Sequence, residues 1–205
     1  MRSLVALAPR YVVYVSSGEV YGRGRVPFSE SDVPAPLTSY AKAKLAGERA
    51  VSLWCAHSGV PRALLRPAVV YGPRQTGRML IPAALRALAR GARFPTTDGH
   101  QTRDFVSVHD VVELIQACVE RGVDGIFNAG SGEERRVRDV LLMLAHRVGE
   151  NAEQLLEFGA LETRAGEAER YVLEVSAGEK TLGWRPRIEL AEGLDEFVEW
   201  CALRA

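Results

Sequence analysis

The sequence predicts an α/β fold built on a parallel sheet. Two observations carry the prediction: β-branched and aromatic runs alternate along the chain with stretches of helical pattern, and the first such run is continuously apolar. No internal repeat, coiled-coil heptad or low-complexity tract competes with that reading. Residues 11–16, YVVYVS, read as a buried strand because they are apolar without alternation. A Gly/Pro-rich loop follows through Leu37, and a helix is predicted from Ser39 to about His57, opened by a Thr/Ser cap and closed near Gly59 and Pro61. RALLRP (62–67) is the next strand, and Tyr71, Gly72 and Pro73 mark a turn. Helix is expected over 79–90, a turn at Asp98 and Gly99, a short strand at Phe105 and Val106, and helix again from His109 to Arg121. GIFNAG (125–130) reads as a strand and 137–149 as an amphipathic helix. After YVLEV (171–175) come a short helix to Leu182 and a final helix from about Leu190.

Composition narrows the function classes. Of 205 residues, 47% are hydrophobic and 25% charged, which is ordinary for a globular domain with or without a subdomain. No apolar run approaches the ~20 residues of a membrane helix, so no membrane role is expected. The opening MRSLVALAPR has too short an apolar patch for a leader and reads as folded chain. Cys55, Cys118 and Cys201 are odd in number and far apart, which fits free thiols in a reducing cytoplasm better than disulfides or a metal site. Net charge is zero, yet residues 1–100 hold 14 basic and 5 acidic side chains while 101–205 hold 12 and 21. The basic residues form no run, which argues against nucleic acid. A basic half facing an anionic small molecule and two solvated faces of opposite sign both fit the charge.

Chemistry is concentrated at Ser17, at the end of the first strand, and at Tyr40 and Lys44 on the following helix. Tyr and Lys at i and i+4 share a helix face. An ammonium beside a phenol favours phenolate, and such a Tyr can act as acid or base at a hydroxyl-bearing carbon. Ser17 can hydrogen-bond the same oxygen, and the Lys can reach a ribose hydroxyl pair. A Y-x-x-x-K also arises as a solvated pair on an exposed face. Against that, the chain has 23 Arg and only 3 Lys, and Lys42 and Lys44 are two of the three. A Lys where Arg is the default points to a need for a compact, multi-donor charge.

Longer segments carry a resemblance. Ser16-Ser17-Gly18-Glu19-Val20-Tyr21-Gly22 resembles the S-[ST]-x-x-V-Y-G signature of extended short-chain dehydrogenases/reductases, the NAD-dependent sugar-nucleotide epimerases and dehydratases. Tyr40-Ala-Lys-Ala-Lys44 is similar to their catalytic Y-x-x-x-K. The segment from Leu65 to Arg74 resembles L-R-P-x-N-V-Y-G-P-R, and that from Arg103 to Val111 resembles R-D-F-V-x-V-x-D-V. Phe127 to Gly132 resembles Y-N-x-G-S-G, and Leu182 to Pro186 the late L-G-W-x-P. All occur in family order across almost the whole chain.

The resemblance implies a fold comprising the C-terminal part of a doubly wound, Rossmann-like sheet with a small α/β substrate lobe. Residues 1–71 would form a partial Rossmann domain with the trio, and 72–205 mainly the substrate lobe, with crossings back to the sheet. It implies Ser17, Tyr40 and Lys44 as the catalytic trio, with Glu19 beside them. Ser16, Tyr40, Lys44, Pro67 and Val70 would touch NAD (or NADP). Glu19, Val69, Arg74, Arg103 and Arg164 would line a nucleotide-sugar site, where a planar guanidinium suits phosphate oxygens. It further implies a cytoplasmic homodimer paired through the Tyr40–Lys44 helix and a helix whose tail would be Met1–Ala8.

Three departures matter. No G-x-x-G-x-x-G turn follows an opening strand, so the family's N-terminal pyrophosphate cradle is missing from these 205 residues. The Asn of R-P-x-N-V-Y-G-P is Val69, which leaves the substrate open. Glu19 resembles the acid of the family's dehydratases and decarboxylases, but their neighbouring acidic or hydroxyl residue is Gly18. Nucleotide-sugar epimerase chemistry is therefore expected, with two alternatives: a dehydratase or decarboxylase using Glu19, and a truncated binding protein without a complete NAD site.

Overall fold

Two strands, Val12–Val15 (β1) and Arg62–Pro67 (β2), run parallel because the helix between them, Ser39–Ser58 (α1), carries the chain back along the sheet. The computed structural model describes residues 8–77, 79–163 and 168–203. Thr38 starts α1 by accepting the Ala41 N–H at 3.0 Å, and Gly59, at φ 68°, ends it in the left-handed conformation that glycine tolerates best. A third parallel strand, Gly125–Ala129 (β7), joins the far side of β2, for the order β1-β2-β7.

Strand alternation gives this sheet two covered faces. Val12, Leu64 and Ile126 point to one side and pack on Val51 and Cys55 of α1. Val13, Ala63, Leu65, Phe127 and Ala129 point to the other and pack on the helix Val108–Arg121 (α3), through Val111, Leu114 and Cys118. The chain therefore forms a three-layered α/β arrangement with helices on both faces of a parallel sheet. The run 11–16 is shorter and less buried than its sequence predicts. Among the described residues β1 is paired on one side only, and Val15 is 42% exposed.

Immediately after β2 the chain forms Val69–Tyr71 (β3), which pairs in parallel with Phe105–Ser107 (β6). Their alternate residues serve two cores: Val70 and Val106 join the sheet core, whereas Val69, Tyr71 and Phe105 join a second one. That second core is built by helices Leu80–Ala89 (α2), Val137–Val148 (α4) and Leu190–Ala202 (α6), around Ile81, Leu141, Leu144, Leu194 and Phe197. The periodic apolar positions of 137–149 are the ones buried, as an amphipathic helix requires. Later residues cross back to the sheet. Trp184, just beyond the helix Ser176–Leu182 (α5), packs on α3 and donates from Nε1 to the Asp110 carbonyl at 3.0 Å. The Asp110 carboxylate meanwhile accepts the Arg187 and Ile188 N–H groups.

Smaller elements fall where the sequence has no periodicity to reveal them. Phe94–Pro95 (β4) pairs with Leu156–Glu157 (β9), and Thr102–Arg103 (β5) with Arg135–Arg136 (β8). Two-residue ladders are fixed by their tertiary partners, not by local pattern. Within the loop that follows β1, residues Gly18–Tyr21 form a single 3₁₀ turn.

Candidate active site

The carboxyl ends of β1 and β2 carry the candidate residues. Ser17 precedes the 3₁₀ turn, and its Oγ accepts the Glu19 N–H at 3.2 Å, which leaves the serine O–H to donate elsewhere. Two long-range bonds clamp the start of α1 to this turn. Lys44 Nζ donates to the Val15 carbonyl at 3.0 Å, and Thr38 Oγ1 donates to Glu19 Oε2 at 3.2 Å. These bonds bracket Ser17 by two residues on either side, and Tyr40 lies between Thr38 and Lys44 on the helix. Lys44 Nζ is 5.7 Å from the ring centroids of both Tyr40 and Tyr14. The i,i+4 spacing thus places a cation against the Tyr40 ring at the strand end that carries the serine.

Four tyrosines occupy this region and differ in burial. Burial raises Tyr14 above its ordinary value, pushes Tyr21 up to about 12, and holds Tyr171 well above the usual phenol range. These three stay protonated near neutrality. Tyr40 is 53% exposed and is the solvent-facing phenol of the site.

Beneath the turn the packing is close. A Cβ on Gly18 would lie 1.6 Å from the Tyr171 hydroxyl oxygen and 3.2 Å from the Pro67 carbonyl oxygen, so only glycine fits. Tyr21 and Phe28 stack with centroids 5.2 Å apart, and Tyr171 packs on Phe28 at a 47° tilt with centroids 5.7 Å apart. Behind α1, Arg66 donates to both carboxylate oxygens of Glu48 at 3.0 and 2.8 Å, with both side chains buried. Ser16 is buried on the same strand end, and its N–H donates to the Leu65 carbonyl.

The sequence-predicted residues are placed along the strands, the turns and α1. Ser16, Ser17, Glu19, Tyr40, Lys44 and Pro67 meet at the ends of β1 and β2. Val69 and Val70 face the two apolar cores on β3, and Arg74 is exposed at φ 68° beyond the Gly72 turn. Arg103 lies on β5, where Nη1 donates to the Thr102 and Ala168 carbonyls at 2.6 and 2.9 Å. Arg164 and residues Met1 to Leu7 lie outside the described residues. Sequence reasoning missed Thr38 as a partner of Glu19, Tyr171 as the group seated on Gly18, and the Glu48–Arg66 pair. Of these only Thr38 had a local signal, as the helix cap. Among the described residues no three His, Cys, Asp or Glu side chains group to hold a metal ion, and no helix is long and apolar enough to cross a membrane.

Comparison with known proteins bears on this arrangement. Residues 1–130 match the sequence profile of the NAD dependent epimerase/dehydratase family. The chain is 34% identical over 198 residues to a UDP-glucose 4-epimerase of Mycolicibacterium smegmatis, covering 93% of this chain and 62% of that protein. It superposes on a UDP-glucose 4-epimerase of Thermotoga maritima solved with UDP-glucose, at TM-score 0.91 and 26% identity, over 98% of this chain and 66% of that one. A dTDP-glucose 4,6-dehydratase of Streptomyces venezuelae, solved with NAD, superposes at 0.90 and 27% identity, over 99% of this chain and 63% of that one. The chain spans between 29% and 65% of the length of the curated relatives it matches, and 62% of the Mycolicibacterium smegmatis enzyme.

Proposed function

The chain belongs to the NAD dependent epimerase/dehydratase family, and on that premise we propose that it carries the acid–base centre of a nucleotide-sugar epimerase, with Tyr40 as the proton-transfer group. The observation that carries the reading is the double clamp of α1 to the chain on either side of Ser17, with Lys44 Nζ 5.7 Å from the exposed Tyr40 ring at that end of the helix. Tyr40 takes the proton of a sugar hydroxyl, Ser17 donates to the same oxygen, and the Lys44 ammonium stabilises the phenolate. The residues present fit the nicotinamide–ribose end of NAD (or NADP). Lys44 spends one of its three donors on Val15 and keeps others for a ribose hydroxyl pair, and Ser16 and Pro67 lie at the adjoining strand ends. A bound nicotinamide supplies a hydride acceptor for the carbon that carries the hydroxyl. The opposite sugar-nucleotide end is assigned to Arg74, Arg103 and Arg164, with Val69 and Val70 on the strand between. A cytoplasmic setting belongs to the same reading.

These 205 residues contain no Gly-rich turn to hold a pyrophosphate. Calorimetric titration of NAD into the chain is therefore expected to give binding weaker than micromolar. A micromolar dissociation constant would contradict the assignment of cofactor groups.

Glu19 separates the epimerase from the dehydratase reading. It is exposed and held by Thr38 at the rim of the turn, and Gly18 beside it offers no side chain for proton transfer. Glu19→Gln is expected to leave turnover of an active, completed form within a few-fold. A loss of the ~10² scale of an acid–base group would instead make Glu19 a proton carrier and favour elimination chemistry.

Association through α1 is part of the proposal. Leu45, Val51 and Cys55 are buried under the helix, but Leu53 is 74% exposed on it and the β1 edge shows Val15. An exposed leucine on the helix beside a strand edge left unpaired among the described residues offers a place for pairing. Light scattering after size exclusion at micromolar concentration is expected to show a dimer or larger species. A single 22.5 kDa species would contradict it.

A further inference from the structure

We infer that Arg66 is a positioning residue for the Tyr40–Lys44–Ser17 centre, acting through Glu48 and Tyr21. This rests on the proposed role of Tyr40 and adds to it the group that fixes where the phenol stands.

One buried guanidinium touches both the helix and the turn that carry the centre. Its own strand, β2, ends in Pro67. Its Nε and Nη2 hold both oxygens of Glu48, which is one helical turn beyond Lys44 on α1. Its Cζ lies 4.8 Å from the ring centroid of Tyr21, the last residue of the turn that begins after Ser17. Tyr21 in turn donates to Asn128 Oδ1 at 2.7 Å, which ties the turn to β7. Helix, turn and two strands are thus referred to a single planar group. A planar fork gripped on one edge and stacked on its face has one orientation, which a lysine could not reproduce.

The arrangement is not what stability alone would favour. Buried ion pairs often exchange for apolar pairs of similar volume at no cost. Here the guanidinium lies between the Glu48 carboxylate and the Tyr21 ring, with its side chain only 3% exposed. A buried charge pair set between the helix and the turn of the candidate centre fits a role in placement.

Lysine labelling tests this in the intact chain, because Lys42, Lys44 and Lys180 are its three lysines. With [ε-13C]lysine, the Lys44 signal is followed through alkaline pH, after assignment by Lys42→Arg and Lys180→Arg. Charged or titratable neighbours of the pair are Tyr14 on β1, Glu19 on the turn and Glu48 on α1. In the wild-type chain the signal is expected to show an inflection from the Tyr40 phenol that Tyr40→Phe abolishes. In Glu48→Leu/Arg66→Met, which keeps volume and removes both charges, that inflection should be lost while the thermal transition stays cooperative. Arg66→Lys, which keeps the charge and loses the fork, should lose it too. A folded variant of either kind with the wild-type inflection would overturn the proposal and leave the reading of Tyr40 standing. A wild-type signal identical to that of Tyr40→Phe would overturn both.

Discussion

Replacing Tyr40 by phenylalanine is expected to lower turnover by ~10²-fold or more in a form of the protein that turns over, the scale of a lost acid–base group. Phenylalanine keeps the ring that stands 5.7 Å from Lys44 Nζ and removes only the phenolic oxygen. Stability should therefore change little, because the side chain is half exposed and makes no core contact. Lys44→Met should produce a comparable loss and also weaken cofactor binding. It further removes the bond to the Val15 carbonyl that holds α1 against the serine turn. The two variants separate in melting temperature: Lys44→Met is expected to lower it, and Tyr40→Phe to leave it unchanged. Turnover at the wild-type rate in Tyr40→Phe would remove the phenol from the mechanism.

The second large effect concerns stability. Glu48→Ala is expected to cost about 3–5 kcal/mol in denaturant unfolding, because it leaves the Arg66 guanidinium buried without its counter-charge. The side chains of Arg66 and Glu48 are only 3% and 4% exposed, so water cannot take over the lost carboxylate. Surface pairs offer the contrast. Arg93 and Glu157 are bonded at 2.5 Å, but Arg93 is largely exposed, and removing one partner there should change stability little. A Glu48→Ala protein as stable as wild type would mean that the helix moves to admit water to Arg66.

The parts of this molecule legible in the sequence are those set by local pattern. The runs 62–67 and 125–130 form strands of the sheet because their apolar residues serve both faces, and α1 announces itself by its Thr38 cap and Gly59 stop. Tyr40 and Lys44 could be paired from spacing alone, since a helix fixes which residues share a face. What could not be read depends on how elements pack. Glu48 on a helix surface pattern looks like a solvated acid, and only the seating of α1 on β2 brings it to Arg66. Tyr171 reaches Gly18 from a distant segment, and nothing local to either residue reports that contact. The early strand, read as buried from its continuous apolar run, is paired on one side only among the described residues, because an apolar run does not say how many neighbours it has. Arg103 holds the Ala168 carbonyl from β5 across 65 residues, a contact that family order along the chain does not report.

The most direct test of the central claim is a proton NMR assay of sugar configuration, with NAD present. The chain would be joined to the dinucleotide-binding part of a family relative and offered UDP-, dTDP- and GDP-hexoses. The account predicts that one of them is inverted at a single carbinol carbon, and that Tyr40→Phe slows this by ~10²-fold or more while NAD still binds. Inversion undiminished in Tyr40→Phe, or no turnover of any hexose by a completed chain that binds NAD, would contradict it.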